Sequence, residues 1–272
     1  MSEQSCPWCY RHCVIPEGGV GFCRGRTVAD GENRCANYGR LTSMALDPIE
    51  KKPLARFYPG SRILSVGSYG CNLACPFCQN WQISMADDGT AGYEEISPDE
   101  LAQIIERTPD NLGIAFTYNE PLISFEYICD VAELVKPKGY KIVIVTNGCV
   151  EEAVLNRIIP YVDAMNIDLK GDRKFYRELG GDYDQVKHTI EVMQEHCHVE
   201  LTSLIIPGKN DSEEWIREEA EWIASLDPNI PLHITRYFPN WKYEISATPR
   251  ETVFRLQRVA EEFLNDVLVG NV

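Results

Sequence analysis

Three cysteines lie close together in Cys71-Asn-Leu-Ala-Cys75-Pro-Phe-Cys78, a CxxxCxxC spacing followed at once by Gln79-Asn80-Trp81. A short loop of this kind can wrap three thiolates around one [4Fe–4S] cluster, and because the cluster has four irons one corner is left without a protein ligand. Chemistry would take place at that open iron. Read structurally, the same trio would bind zinc with a distant fourth ligand such as His233. A second set, Cys6-x2-Cys9-x3-Cys13-x9-Cys23, offers four thiolates, with Gly18, Gly19 and Gly21 letting the chain bend back. Four thiolates saturate zinc or complete a fully ligated second cluster, and the spacing does not choose between them; Cys35 can stand in for one ligand. Zinc would only staple the segment, whereas an iron–sulfur cluster could also relay electrons. The scattered Cys129, Cys149 and Cys197 read as small core hydrophobes.

Such a loop needs a scaffold, and from Arg62 onward the sequence alternates short apolar runs with amphipathic stretches. The runs are Ile63–Val66, Leu112–Thr117, Lys141–Thr146, Ala164–Asp168, Val199–Ile206 and Pro231–Thr235. Most are β-branched and nearly continuous, as strands covered on both faces are. A helix is expected to start at Pro98 and carry Leu101, Ile104 and Ile105, and others are expected over residues 125–136, 151–159, 184–195, 212–226 and 248–267, with capping boxes at Ser97-Pro-Asp-Glu100 and Thr248-Pro-Arg-Glu251. Strands alternating with helices give a parallel sheet with right-handed crossovers. No glycine-rich dinucleotide fingerprint follows the first strand, so the expected fold is α/β, a partial (β/α)6 TIM-like barrel. Residues 1–55 form a loop-rich cysteine module and linker, and residues 56–272 form the barrel with a C-terminal helix. The cysteine loop then opens at the C-terminal mouth, where such barrels keep their chemistry.

Other strand ends bring polar groups to the same mouth. Asn119 and Glu120 pair an amide with a carboxylate able to accept from an ammonium, unless Glu120 only caps a helix. Thr146-Asn147-Gly148 lets a ligand approach the backbone, or is a plain turn. Asp168 and Lys170 point into a shared cavity or form a structural salt bridge. His233 contacts a ligand or is a core histidine satisfied by its neighbours. Arg236, Tyr237 and Phe238 are candidates for the substrate side.

The 272 residues carry 26 basic and 41 acidic side chains, a formal charge of -15 that argues against a nucleic-acid partner, although Lys51-Lys52 is a local basic patch. The MSEQSCPWCY start lacks a secretory pattern and no run reaches the ~18 apolar residues of a membrane span, so a cytoplasmic protein is expected. In a reducing compartment eleven cysteines read as metal ligands before disulfides.

With Cys71, Cys75, Phe77 and Cys78 the loop resembles the CxxxCxΦC signature of the radical SAM superfamily, over about residues 62–237. The resemblance implies that S-adenosylmethionine chelates the open iron through its amino and carboxylate groups. One electron then cleaves it to methionine and a 5′-deoxyadenosyl radical that removes hydrogen from a substrate. It also implies cofactor contacts from Asn119 and Glu120, from Thr146 and Asn147, and from Asp168, Lys170 and His233; Phe77 shields the cluster. The family's acidic motif usually carries two glycines before the glutamate, and here Tyr118 and Asn119 replace them. The N-terminal pattern, Asp47–Leu54 and Phe57–Ser61 look similar to AmmeMemoRadiSam system enzymes, which are related to pyruvate formate-lyase activating enzymes. That likeness implies a reducing partner such as flavodoxin or ferredoxin and Memo-type or AMMECR-type partners. The substrate is then an unidentified molecule or, as for activating enzymes, a glycyl radical protein; the contrasting possibility is a non-catalytic, metal-bound scaffold for those partners.

Overall fold

The computed structural model describes residues 3–272. The chain begins with two small antiparallel hairpins, β1 (Glu3–Ser5) with β2 (Val14–Pro16) and β3 (Arg26–Ala29) with β4 (Glu32–Cys35). Strand β5 (Arg40–Leu41) comes next, followed by β6 (Ser43–Pro48), β7 (Arg62–Gly67) and the short helix α1 (Trp81–Ser84). Strand β8 (Glu94–Glu95) pairs back on β5. The rest alternates α2 (Pro98–Arg107), β9 (Asn111–Phe116), α3 (Phe125–Val135), β10 (Lys141–Thr146), α4 (Glu152–Ile158) and β11 (Ala164–Asp168). It ends with α5 (Arg173–Leu179), α6 (Tyr183–Met193), β12 (His198–Ile205), α7 (Glu213–Leu226), β13 (Leu232–Arg236), α8 (Arg250–Ala260) and β14 (Val267–Gly270).

Eight strands form one sheet in the order β14-β13-β12-β11-β10-β9-β7-β6, parallel throughout except for the antiparallel edge β6. The sheet curves but does not close, with β6 and β14 as its two edges. This is the expected partial barrel with two strands more than the six read from sequence. Strand β6 was hidden because an edge strand needs no apolar run: its six residues are exposed or half-buried. Strand β14 overlaps the expected last helix only at Val267; the helix stops at Ala260, and a turn leads into Val267-Leu-Val, which pairs with β13.

Alternate residues of each parallel strand face opposite sides. Outward residues such as Leu64, Ile114, Ile144 and Ile167 pack with the helices in the main core. Inward residues Ile63, Ala115, Val143 and Ala164 join Ile49 and Leu54 in a separate apolar cluster. That plug fills one end of the barrel interior. Moving along the strands in steps of two from it leads to Thr117, Val145 and Asp168, which line a cavity at the other end.

Helix α2 has its full capping box: Ser97 Oγ accepts from Glu100 N–H, and Glu100 accepts from Ser97 N–H. The box expected at Thr248 does not form. Thr248 is buried and its hydroxyl donates to Ile205 O at 2.6 Å, tying the loop to the end of β12, so α8 starts without a side-chain cap. Helix α5, unforeseen in the sequence, is capped by Asp172, which accepts from Phe175 N–H.

Candidate active site

The loop after β7 carries Cys71, Cys75 and Cys78 onto the wall of a cavity of about 700 Å³ at the C-terminal mouth of the barrel. Phe77, Asn119, Glu120, Thr146, Asn147, Asp168, Lys170 and His233 line the same space, so every candidate cofactor contact of the barrel meets there, whereas Arg236, Tyr237 and Phe238 do not line it. The cysteine loop is shaped by its own backbone: Cys78 N–H donates to Cys75 O (3.1 Å), and Leu73 N–H to the Cys71 sulfur (3.4 Å). Phe77 is buried between Phe175 and Tyr243, with ring centroids 6.0 and 5.8 Å away. Burial pushes the Cys71 thiol well above its ordinary range and Cys75 to about 12, the latter against the pull of the Lys170 ammonium. Such thiols ionise when a cation takes them, which suits a soft metal cluster with Lys170 nearby to offset its charge. Among the described residues no group of three or more His, Cys, Asp or Glu side chains stands in a metal-ligating array, for this trio and the N-terminal set alike.

Glu120 is the most tightly held carboxylate at the mouth. It is 1% exposed and accepts from Thr146 Oγ1 (2.6 Å), Asn147 N–H (2.8 Å) and Leu122 N–H (3.0 Å). Burial raises it to about 7 even though these hydrogen bonds and Lys170 favour its charge. It therefore both caps the turn at Pro121 and lines the cavity. The carboxamide of Asn119 is committed to the backbone: it accepts from Ser68 N–H (3.0 Å) and donates to Gly70 O (3.0 Å), which leaves it as wall and brace. Asn147 donates to Asn72 Oδ1 (2.9 Å) and lies 3.6 Å from the Cys71 sulfur. Lys170 pairs with Asp168 at 2.6 Å; burial would lower the lysine, but the carboxylate holds it above its ordinary value.

His233 is bonded through Nε2 to Glu200 Oε2 at 2.6 Å. Glu200 is fully buried and also meets His198 (2.9 Å) and the N–H groups of Ala55 (2.9 Å) and Arg56 (2.7 Å). Burial alone would raise this carboxyl, yet those hydrogen bonds outweigh it and bring it down to about 2. Of the substrate-side candidates, Tyr237 is buried, Arg236 donates to Thr248 O (2.6 Å) and Phe238 is exposed.

Glu200, Asn72 and Tyr118 were missed in the sequence. A charge inside the apolar run Val199–Ile206 was the available signal for Glu200. Tyr118 has φ +74°, the left-handed conformation a glycine would adopt freely, at one of the two positions where the acidic motif normally has glycine. Its hydroxyl donates to Asp47 (2.7 Å), which is paired with buried Lys52 (2.9 Å), and the Lys52 ammonium lies 4.6 Å from the ring centroid. Lys52 is therefore spent on an ion pair and is no part of a basic patch.

The four N-terminal cysteines also converge, on a small separate cavity. Cys35 is not among its lining residues; its thiol faces Asn37 Oδ1 at 3.1 Å. Cys129 and Cys149 are core residues, and Cys197 packs partly buried against the core.

A family profile described as the Radical SAM superfamily matches residues 65–223. An uncharacterized protein of Methanocaldococcus jannaschii is 37% identical, covering 98% of this chain and 81% of its own length. The 7-carboxy-7-deazaguanine synthase of the same organism is 24% identical over 77% of this chain and 88% of its own. Among solved structures, a domain of pyruvate-formate lyase-activating enzyme from Bacteroides vulgatus superposes with a TM-score of 0.52 at 19% identity, over 58% of this chain and 99% of that one, a likeness of fold. No helix among the described residues is long and apolar enough to cross a membrane.

Proposed function

This chain belongs to the radical SAM superfamily, and from that premise we propose that it is an oxidoreductase cleaving S-adenosylmethionine at a [4Fe–4S] cluster on Cys71, Cys75 and Cys78. When bound, the cluster supplies the electron and the open iron that together generate the 5′-deoxyadenosyl radical. The carrying observation is the convergence of three thiols, Glu120, the Asp168–Lys170 pair and His233 on one cavity.

In this reading the chain's own groups divide the work of holding the cofactor. Glu120, pinned by three donors, offers its remaining lone pairs to the N–H groups of the cofactor's amino group. Lys170 faces its carboxylate, with Asp168 holding the lysine in place. His233 keeps one ring nitrogen on Glu200 and has the other for a ribose hydroxyl. Thr146 and Asn147 position Glu120, and Asn147 also steadies Cys71. Phe77 and its aromatic neighbours keep water from the cluster. The reducing electron arrives from a carrier of flavodoxin or ferredoxin type, by way of the exposed Gln79–Trp81 turn beyond Cys78. The N-terminal cysteines take a second metal, zinc or an additional cluster. The hydrogen donor is a substrate other than the protein itself, a small molecule or a residue on a partner chain.

Anaerobic reconstitution tests this reading. Wild-type protein should take up about four irons per chain beyond any held by the N-terminal cysteines and release 5′-deoxyadenosine with a strong reductant; Cys75→Ala should lose both. Full iron loading of the wild type with no 5′-deoxyadenosine would overturn it.

A further inference from the structure

Cys6, Cys9, Cys13 and Cys23 line their cavity together with Arg11 and Arg26. Backbone bonds bring them there. Cys6 N–H donates to Cys13 O (2.9 Å), His12 N–H to Cys9 O (3.1 Å), and Arg24, at φ +66°, turns the chain with its N–H on Gly21 O (2.9 Å).

Arg26 supplies an independent sign. It is 1% exposed, its two terminal nitrogens are held by Glu126, and its buried Nε has no partner among the described residues. A buried cationic donor left over beside four sulfurs is the complement of a negatively charged thiolate group. The cavity measures about 10 Å³, against about 700 Å³ for the catalytic one. That is room for one atom. A space of that size is closer to a single zinc ion than to the four irons and four sulfides of a cubane cluster.

Building on the second metal of the reading above, we infer that this centre is a single zinc ion held by four thiolates, and that it clamps the loop bearing Cys71. Between Cys9 and Cys13 the chain presents Tyr10 and Arg11. Tyr10 Oη and Arg11 Nε both donate to Asn72 O (3.0 and 2.8 Å), and Arg11 Nη2 donates to Gly180 O (2.6 Å). On the other side, Gly70 at φ +87° lies so close to Cys23 that a Cβ there would stand 2.3 Å from the Cys23 carbonyl oxygen. Gly70 and Asn72 are the two neighbours of Cys71. The zinc loop therefore grips the first catalytic cysteine from both sides. A tetrathiolate zinc carries two negative charges, offset by Arg26 and Arg11.

The full-length chain with Cys71, Cys75 and Cys78 all changed to Ala isolates the proposal, because it needs neither cluster nor cofactor. Purified without chelator, it should carry about one zinc and no iron, and a further Cys23→Ser should remove the zinc. In the otherwise wild-type chain, Arg11→Ala should keep the zinc yet speed amide exchange about tenfold or more across residues 70–78. Iron near four per chain in the triple variant, absence of zinc, or unchanged exchange in Arg11→Ala would each overturn the inference. A zinc-loaded chain that fails to cleave S-adenosylmethionine would sink only the radical reading.

Discussion

Glu200 shows how much one buried side chain organises. Its carboxyl is ordinarily near 4.5 and is held at about 2 in the fold. A depressed acid stabilises the fold above its unfolded pKa, and that contribution is lost as pH falls through the folded value, here between about 4.5 and 2. Glu200→Gln should therefore lower stability by about 3 kcal/mol at pH 7, with the gap to wild type shrinking as pH falls toward the folded value. Urea unfolding across that range checks it; a gap that does not narrow would contradict the assignment. Glu120 runs the other way, because its folded value is raised to about 7. The folded apo protein favours the protonated acid, so ionisation costs stability as pH rises from about 4.5 to 7. A ligand ammonium that pairs with Glu120 should therefore bind more tightly at pH 8 than at pH 6 and release about half a proton near pH 7. Calorimetry of S-adenosylmethionine binding to the cluster-free protein in buffers of different ionisation enthalpy measures that proton; none released would remove Glu120 from the amino-group site.

At the scale of elements, the strands that carry the site were readable because period-two burial writes itself into apolar runs, and Thr117, Thr146 and Asp168 sit where those runs end. Edge strands β6 and β14 were not readable, since one is half solvated and the other continues an apolar stretch compatible with a helix. Glu200 and Asn72 act through partners far away in sequence, so local pattern gave their roles no voice. The junction of the N-terminal module with the catalytic loop was hidden for the same reason: Tyr10 meets Asn72 across 62 positions. Gly70 is the hinge of that junction. Gly70→Ala combines a left-handed φ with a backbone clash and should cost more than about 2 kcal/mol, seen as a lowered urea midpoint. Gly60, also at positive φ (+80°) but with open space around it, should lose only about 1 kcal/mol as Ala.

The whole molecule is an open barrel whose interior is plugged by apolar side chains at one end and hollowed at the other into a large cavity lined by polar and apolar groups. The N-terminal cysteine module is docked against the loop that carries Cys71. The superfamily was legible from three cysteines and one phenylalanine, because their spacing resembles its signature. The substrate was not, because its recognition is spread over strand ends and rim residues that share no motif. The central claim is that one iron of the cluster on Cys71, Cys75 and Cys78 is open and takes S-adenosylmethionine. The direct measurement is the electron paramagnetic resonance spectrum of the dithionite-reduced, reconstituted protein before and after the cofactor is added. A reduced [4Fe–4S] signal that changes shape and g values on addition, and is absent from Cys75→Ala, is the expected result. A signal from the wild type that stays the same with saturating cofactor would contradict it.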